Sequence, residues 1–368
     1  MKNRRKSIAL LTAGIILCGS VLAGCGEKNE TKENSSSEKF TFRIGAGHVV
    51  ENITWTTAME EYFVPTVTEK AKSLGYEIEW VKSYGGSVAK LGEALEAVEG
   101  GILDFTYVNY GFEPSTLKIH NIDFRVPFTC PDPEVVSKAA AGLFDKYPDE
   151  FSNAFQKYNQ TSLGIGVTDN YCIYSTKPIE SVEDLKGMKI GGGASYLYWL
   201  ENTGATAVQS SLNDGYTSMQ TGVYDAMICP LGSAYGMKLY EVAPYVILTD
   251  FGSKMAGSLT VNNDTLNGLP EDLKDVILET GAGYTEAEAK LTAEKYASDL
   301  EGLEKAGATI IQLSDAEKER WVEVIPNVVQ SAVDEFNEAG YQTIEIYNAY
   351  WDELSKNGYD MVIDWELK

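Results

Sequence analysis

The sequence predicts an α/β fold with room for two lobes. Residues 40–44, 77–81 and 104–110 carry the alternating or apolar patterns of β-strands, and residues 52–74 and 91–98 between them carry helical patterns. A strand–helix–strand–helix–strand order is typical of a parallel sheet with right-handed crossovers. At 368 residues, the chain is long enough for two lobes that each bury a core.

The middle of the chain predicts a second lobe and a return to the first. Residues 161–175 are apolar and β-like, and we expect them to make the first crossing between lobes. Residues 245–248 and 258–261 have the same character and would bring the chain back.

The C-terminal third is predominantly helical in pattern. A long helical tract runs from Pro270 to about Lys305, and the glycines at 281 and 283 could break it. Pro326 is expected to interrupt the helical pattern that follows, because proline lacks the backbone N–H that a helix interior needs.

A motif-rich stretch begins shortly after the first crossing. Ser181 and Asp184 form a capping-box pattern ahead of a short strand at residues 188–190. Three glycines at 191–193 then predict a turn into a helical segment at residues 195–202. A glycine turn at a helix N-terminus leaves backbone N–H groups free, so we expect a ligand site here.

The same stretch resembles the solute-binding receptors of tripartite ATP-independent periplasmic (TRAP) transporters, the family usually labelled C4-dicarboxylate-binding. The resemblance rests on K-P-I-E-S-V-E-D-L-K-G-M-K-I from Lys177, then D-G-Y-T-S-M-Q-T-G-V-Y-D-A from Asp214, and Pro230. It implies a periplasmic-binding-protein-like (flytrap) fold with crossing strands and a long interlobe helix. It also implies a receptor that captures a small organic solute and delivers it to TRAP-type integral membrane carrier subunits.

The resemblance also implies how the chain divides. Lobe I would comprise residues 40–164 and about 248–285. Lobe II would comprise residues 165–247 and about 286–368, including the C-terminal helices.

Three positions that hold the ligand carboxylate in the resembled family differ here. The arginine expected after the K-I strand is Gly191, and a second arginine falls at Tyr171 or, one residue out of register, Asn170. The asparagine expected before the proline of the family's N-P pair, which is Pro230 here, is replaced by Cys229. Each lost charge-assisted bond removes roughly 1.5–3 kcal/mol. We therefore expect a ligand other than a standard C4-dicarboxylate, either neutral, aromatic-bearing or cationic.

Further site candidates come from strand ends and aromatic residues. Ligands on parallel sheets bind at the C-terminal ends of strands. The complete set of predicted ligand-binding residues is Tyr171, Gly191, Cys229, Tyr107, Asn109, Tyr110, Asn170, Tyr196, Arg125 and His48.

Two of these candidates would still allow the ligand to be an anion. Arg125 could reach the cleft and replace the missing cation, or form a salt bridge elsewhere. The glycines at 191–193 could bind an anion through backbone N–H groups or form only a tight turn. Cys229 is expected to line the pocket rather than react, because no base lies near it in sequence.

The N-terminus predicts export and lipid anchoring. Residues 1–24 combine four cations, an apolar run and the small residues of a lipobox ahead of Cys25, the predicted lipidation site. Residues 25–39 are polar and read as a flexible tether. The protein would lie outside the cytoplasm, on the periplasmic or outer surface of the cell membrane.

Charge and composition exclude several other classes. Removing residues 1–24 takes away four positive charges and shifts the formal net charge from −24 to −28, which disfavours nucleic acid as a partner. Two histidines and no C-x-x-C spacing give no basis for a metal site, and we predict no cofactor. A binding lipoprotein of an ATP-driven (ABC) importer is the alternative function. An enzyme is disfavoured because no acid, base and nucleophile converge in the sequence.

Overall fold

The structure is a computed structural model, and it describes residues 37–51 and 53–368. The predicted signal peptide, the lipidation site Cys25 and most of the predicted tether lie outside these residues. Two β-sheets and the helices around them make up the described chain.

Eleven strands occur among the described residues. They are β1 Glu38–Gly45, β2 Tyr76–Ser83, β3 Phe105–Asn109, β4 Gln160–Val167, β5 Tyr171–Ser175, β6 Lys189–Gly192, β7 Thr206–Gln209, β8 Ala226–Pro230, β9 Tyr245–Leu248, β10 Met255–Asn262 and β11 Thr309–Gln312. The first sheet has the order β2-β1-β3-β10-β4, and the second has the order β11-β9-β5-β8-β6-β7.

The helices of the described chain cover the two sheets. The α-helices are α1 Thr54–Ala58, α2 Val64–Ser73, α3 Ala94–Glu99, α4 Pro133–Lys146, α5 Leu212–Gln220, α6 Leu231–Gly236, α7 Asn263–Asn267, α8 Glu271–Lys305, α9 Asp315–Val324, α10 Val328–Glu338 and α11 Thr343–Lys356. A π-helical turn, Met59–Phe63, joins α1 to α2. Short 3-10 helices include Tyr110–Phe112, Asp123–Arg125, Val182–Leu185 and Ala194–Leu200.

The first sheet confirms the predicted parallel arrangement of its first three strands. β1 pairs in parallel with both β2 and β3. β10 then lies antiparallel between β3 and β4. Every residue of β10 is buried, which suits a central strand covered on both faces. The chain therefore returns to the first sheet through its interior rather than along an edge.

Two extended segments cross between the sheets, and they are hydrogen-bonded to each other. A third connection, through α7 and the long helix α8, leads from β10 in the first sheet to β11 in the second. The first segment joins β4 to β5, and the second joins β9 to β10. The Thr168 N–H donates to the Lys254 carbonyl at 2.9 Å, and the Tyr171 N–H donates to the Gly252 carbonyl at 3.1 Å. The predicted two-lobed α/β fold with crossing strands is confirmed, and these paired segments are two of the connections between its sheets.

Helix α8 is continuous, so the predicted break around residues 281–283 is wrong. Its 35 residues correspond to a length of about 52 Å. Gly281 lies inside this helix, and its lack of a side chain allows α8 to pack closely against β4. A Cβ at Gly281 would lie 2.5 Å from the Leu163 Cβ, and a Cβ at Gly164 would meet the Gly281 carbonyl.

The glycines at 191–193 also depart from the prediction. Gly191 and Gly192 belong to β6, which pairs with β7 and β8, instead of forming a turn. The segment after them is the 3-10 helix Ala194–Leu200 rather than a helix over 195–202. Neighbouring aromatic rings leave no room for side chains at these positions, because a Cβ at Gly191 would lie 2.9 Å from the Tyr224 ring.

Local signals at helix ends are confirmed. The Ser181 and Asp184 side chains form the predicted capping box. Gly187 follows with a φ of +80°, a conformation that glycine adopts without strain. Pro326 separates α9 from α10, as its missing N–H requires. None of the helices in the described ranges is long and apolar enough to cross a membrane.

We predict that Gly281→Ala destabilises the protein by about 1–3 kcal/mol, because the added methyl must displace backbone at the contact between α8 and β4. Gly283→Ala is the matched control on the same helix. Its Cβ would meet only the hydroxyl end of Tyr62, and alanine gains up to about 1 kcal/mol of helix propensity. Urea denaturation of both variants measures the difference, and equal stabilities would contradict the proposed contact.

Candidate ligand-binding cleft

A cavity of about 580 Å³ lies between the two sheets, beside the first crossing segment. Both sheets and the crossing segment contribute to its lining. This volume is within the usual range for small-molecule sites. The lining residues include His48, Ile53, Trp55, Leu91, Asn109, Phe112, Phe124, Thr168, Tyr171, Gly193, Ser195, Tyr196, Gln209, Asp214, Cys229, Ser233, Met237 and Ala256.

Aromatic side chains near the first sheet form one wall, which we call the first aromatic wall: Trp55, His48 and Phe112. Trp55 is buried and stacks on Tyr107, with ring centroids 5.5 Å apart. His48 packs edge-on against Trp55 at 5.2 Å and against Phe112 at 6.2 Å. These contacts fix the orientation of the wall before any ligand enters.

The opposite wall, the second aromatic wall, consists of Phe124, Tyr171 and Tyr196. The Tyr196 ring stacks against Phe124 at 6.3 Å and packs edge-on against Tyr171 at 5.1 Å. Phe124 and Tyr171 are also edge-on, with centroids 6.0 Å apart. The glycines before Tyr196 allow its ring to lie on the backbone of Gly192 and Gly193.

Tyr171 opens β5 directly after the crossing segment. Its side chain is buried, and burial raises the pKa of its hydroxyl well above the usual value. The hydroxyl is therefore protonated at neutral pH. It has no hydrogen-bond partner among residues 37–51 and 53–368, and the residue lines the cavity. A buried hydroxyl in this state is available to a ligand as donor or acceptor.

Two further polar side chains in the lining have free hydrogen-bonding groups. The Asn109 Oδ1 accepts from the Gly111 N–H at 3.1 Å, while its Nδ2 has no partner within the described chain. The Ser233 hydroxyl, on α6, likewise has no hydrogen-bond partner among the described residues. With Tyr171, they are among the neutral hydrogen-bonding groups that the lining offers to a ligand.

The lining contains little charge. It includes no lysine or arginine of the described residues, and its carboxylate is that of Asp214. Asp214 is exposed in the first turn of α5 and accepts from the Ser211 hydroxyl at 2.7 Å. This carboxylate is thus stabilised by the helix N-terminus and by solvent.

His48 contributes a neutral ring rather than a cation. Burial lowers the pKa of its imidazole from 6.5 to about 4, because the charged form is poorly solvated. Its Nδ1 accepts from the Trp55 indole N–H at 3.4 Å, so the proton of the neutral ring is assigned to Nε2.

Cys229 lines the cavity on β8 as an inert thiol. Burial raises the pKa of this thiol well above its usual value, so it stays protonated at neutral pH. Its Sγ lies 3.8 Å from the Met227 carbonyl.

The model of bacterial extracellular solute-binding protein, family 7, matches residues 47–336. The chain belongs to this family. A solute-binding protein of Albidiferax ferrireducens is 33% identical over 152 residues, which span 40% of this chain and 45% of that relative. The match therefore covers about half the relative's length. The family is described by binding rather than by catalysis.

Solved structures share the fold of this solute-binding protein. A TRAP periplasmic solute-binding protein from Sulfitobacter, with bound β-D-galacturonate, has a TM-score of 0.69 and 21% identity, covering 84% of this chain and 99% of that one. One from Desulfovibrio salexigens, with bound orotic acid, has a TM-score of 0.70 and 22% identity, covering 86% and 99%. The predicted family and fold class are confirmed.

The structure brings half of the ten predicted site residues of this solute-binding protein to the cavity lining: Tyr171, Tyr196, Cys229, Asn109 and His48. Tyr107 and Tyr110 lie within the protein instead. Tyr107 stacks behind Trp55, and the Tyr110 hydroxyl shares a 2.6 Å hydrogen bond with the Ser258 hydroxyl. Strand β3 places Tyr107 and Asn109 on the same face, so Tyr107 is kept from the cavity by the Trp55 ring that covers it rather than by its direction.

Asn170 and Gly191 also have other roles. Asn170 is buried within the crossing, where its Nδ2 donates to Asp250 at 2.9 Å and its Oδ1 accepts from the Gly252 N–H at 3.1 Å. Gly191 lies under the Tyr224 ring. Neither residue is part of the lining.

Arg125 forms a salt bridge away from the cleft, which is the second of the two roles predicted for it. Its Nη1 lies 3.0 Å from the Glu335 carboxylate on α10, and its guanidinium carbon lies 4.2 Å above the Tyr198 ring. Arg125 does not line the cavity, so it does not supply the cation absent from the lining.

Sequence reasoning missed most of the other lining residues of this protein, among them Trp55, Phe124 and Ser233. Trp55 falls at the start of a helical pattern, where an aromatic residue predicts core packing. Phe124 lies in a tract of short 3-10 helices that has no periodicity. Ser233 follows the Cys229–Pro230 motif by three residues, and that proximity was the available signal.

We predict a pH signature for His48. Its folded-state pKa lies below its unfolded value, so the stability it contributes is complete above pH 6.5 and is lost as the pH falls toward 4. Near pH 5, the wild type should take up about one more proton on unfolding than His48→Gln. The slopes of unfolding free energy against pH measure this uptake. They should coincide near pH 8, and coincidence from pH 4 to 6.5 as well would refute the prediction.

Proposed function

We propose that this protein is an extracytoplasmic receptor that captures a small organic solute and delivers it to a TRAP-type membrane carrier. The observation that carries the proposal is the cavity between the two sheets, lined from both sides and bordered by the crossing segments. Family membership supports the same function. The resemblance to TRAP receptors supplies the carrier subunits as partners.

The capture mechanism follows from where the walls are attached. The first aromatic wall belongs to the first sheet and its loops, and Tyr171 and Tyr196 of the second wall belong to the second. A solute that touches both walls stabilises the closed arrangement by its additional contacts. We propose that closure moves the two lobes as divided above, near residues 164, 248 and 285.

Binding without chemical conversion suits the lining. A nucleophile needs a base within hydrogen-bonding reach, and Cys229 is a protonated thiol in an apolar setting. His48 is engaged with the Trp55 indole at its unprotonated nitrogen. These two residues therefore act as shape and hydrogen-bonding groups in the proposed site.

We further propose that the mature protein begins at Cys25 and is anchored to the cell membrane by lipid on that residue. The cationic start, apolar run and Leu22-Ala23-Gly24 sequence support lipoprotein processing. The polar tether after Cys25 would hold the receptor at the outer face of the membrane, near the carrier.

An uptake experiment distinguishes the TRAP receptor from the ABC alternative. The solute that most stabilises the purified protein is supplied to cells with and without this gene. We expect uptake to fall to background in the deletion strain, and to collapse when an ionophore dissipates the ion gradient while cellular ATP is maintained. Uptake that follows ATP instead would favour the ABC importer, and unchanged uptake in the deletion strain would reject the receptor role.

The lipid anchor has its own test. Cys25→Ser should move the protein from the membrane fraction to the soluble fraction, because the acceptor thiol is lost. Cys18→Ser, seven residues earlier and outside the lipobox, is the matched control and should remain membrane-bound. Mass spectrometry of the wild-type N-terminus should show a diacylglyceryl mass on Cys25. Membrane retention of the Cys25 variant would contradict the proposal.

A further inference from the structure

We infer that the captured solute is uncharged and contains a ring bearing hydroxyl or amide groups, the chemistry of neutral sugars, nucleobases and nucleosides. The inference rests on the proposed receptor function and names the ligand class of the same cavity. Its basis is the combination of two aromatic walls, free neutral hydrogen-bonding side chains and a lining without lysine or arginine.

An anionic solute would lack a cationic partner in this cavity. The lining has no lysine or arginine, and two cations that lie within two residues of lining residues in the chain, Lys254 and Arg125, are engaged elsewhere. The Lys254 Nζ donates to the Val126 carbonyl at 2.7 Å, and Arg125 is paired with Glu335 at 3.0 Å. A carboxylate loses its hydration on entering a buried site, and that loss is recovered only through charged or convergent donors.

A cationic solute is also poorly matched. Asp214 is the carboxylate of the lining, and it is solvent-exposed, bonded to Ser211 and located at a helix N-terminus that favours its charge. It therefore remains hydrated, and it leaves the buried part of the cavity without a counter-charge. Aromatic faces alone recover only part of the free energy that a cation loses on desolvation.

The aromatic walls indicate a ring. Trp55 and Tyr171, one on each wall, are each 6% exposed, so their faces are closed off by protein except where the cavity begins. Their neighbours hold the rings at fixed angles through contacts of 5.1–6.3 Å. Flat rings and the C–H faces of sugars match such surfaces by area without charge.

The polar side chains indicate hydroxyl or amide groups on that ring. Tyr171 can donate or accept, Ser233 can donate or accept, and the Asn109 Nδ2 donates. None of these groups has a hydrogen-bond partner in the described ranges. A purely apolar ring would leave them unsatisfied after closure, which costs binding energy.

Matched solutes that differ in charge test the inference. Galacturonate is compared with galactose, and orotate with uracil, because the acids are ligands of two structural neighbours. Galactosamine and choline supply the cations, and a panel of nucleobases, nucleosides and neutral sugars extends the uncharged class. Thermal unfolding at pH 7.5 reports binding. We expect at least one uncharged member to raise Tm by about 4 °C at a hundredfold excess over Kd.

Variants then tie binding to the site. Tyr171→Phe removes one hydroxyl and should weaken binding of the best uncharged solute about fivefold, as measured by calorimetry. Tyr198→Phe is the matched control, since Tyr198 is partly exposed and lies outside the lining. Circular dichroism and Tm of both unliganded variants verify that each remains folded.

The outcomes separate the inference from the receptor function. Preferential stabilisation by galacturonate, orotate or a cation overturns the inference and leaves the receptor function standing. Absence of binding throughout the uncharged panel also overturns the inference, and absence of binding by any solute overturns both. Equal weakening by the two tyrosine variants would remove Tyr171 from the site.

Discussion

The hydrogen-bonded pair of crossing segments is the constraint on which the two-sheet structure depends. Strand pairing ends where each segment leaves its sheet, so the backbone groups there need other partners. Thr168 provides them through its N–H, its Oγ1 and its carbonyl, which bond to residues 253 and 254 of the other segment at 2.6–3.0 Å. Thr168 and Tyr171 line the cavity, so the connection between the sheets also forms part of the cavity wall.

Buried carboxylates complete this connection. The Glu288 carboxylate of α8 accepts from the Val167 N–H at 2.9 Å and from the Thr54 and Thr292 hydroxyls at 2.8–2.9 Å. The Asp169 carboxylate accepts from the Gly232 N–H at 2.9 Å. Each is a buried acceptor for a backbone donor at a strand end or at a helix start.

Burial gives these carboxylates a definite effect on pH dependence. It raises the pKa of Glu288 and of Asp169 to about 7. Because their unfolded values are near 4, the stability they contribute is present at low pH and is lost as the pH rises toward 7. His48 has the opposite sign over nearly the same range. In the wild type, these opposite effects on the free energy of unfolding therefore partly cancel as the pH changes. Single variants are needed to separate them.

The sequence was sufficient for the local signals and for the order of the first strands. The capping box at Ser181 and the strand–helix alternation depend on neighbouring residues, so they could be recognised without the fold. The continuity of α8 through Gly281 could not, because the reason for that glycine is Leu163, more than a hundred residues away in the chain. Placing β10 inside the first sheet required the same kind of long-range knowledge.

The candidate site could be predicted from the sequence to about the same extent as the fold. Tyr171, Tyr196 and Cys229 were found because motif positions and strand ends are fixed by local sequence. Arg125 and Tyr110 could not be assigned, because their directions depend on Glu335 and Ser258, which only the fold brings near. Trp55 and Phe124 carry no signal that separates a cavity wall from a core, since both environments favour the same residue types.

The replacement of charge by aromatic area has a consequence for closure. A cationic clamp attracts an anion over a long range, and salt weakens it. The two aromatic walls act only on contact, through burial of surface that scales with the fit of the solute. In the proposed receptor, closure of this cleft therefore depends on shape and on the free polar groups of the lining, and a solute that reaches only one wall gains little from closing it. The Tyr224 ring over Gly191 maintains this arrangement, because it fills the space in which a side chain from β6 would otherwise extend.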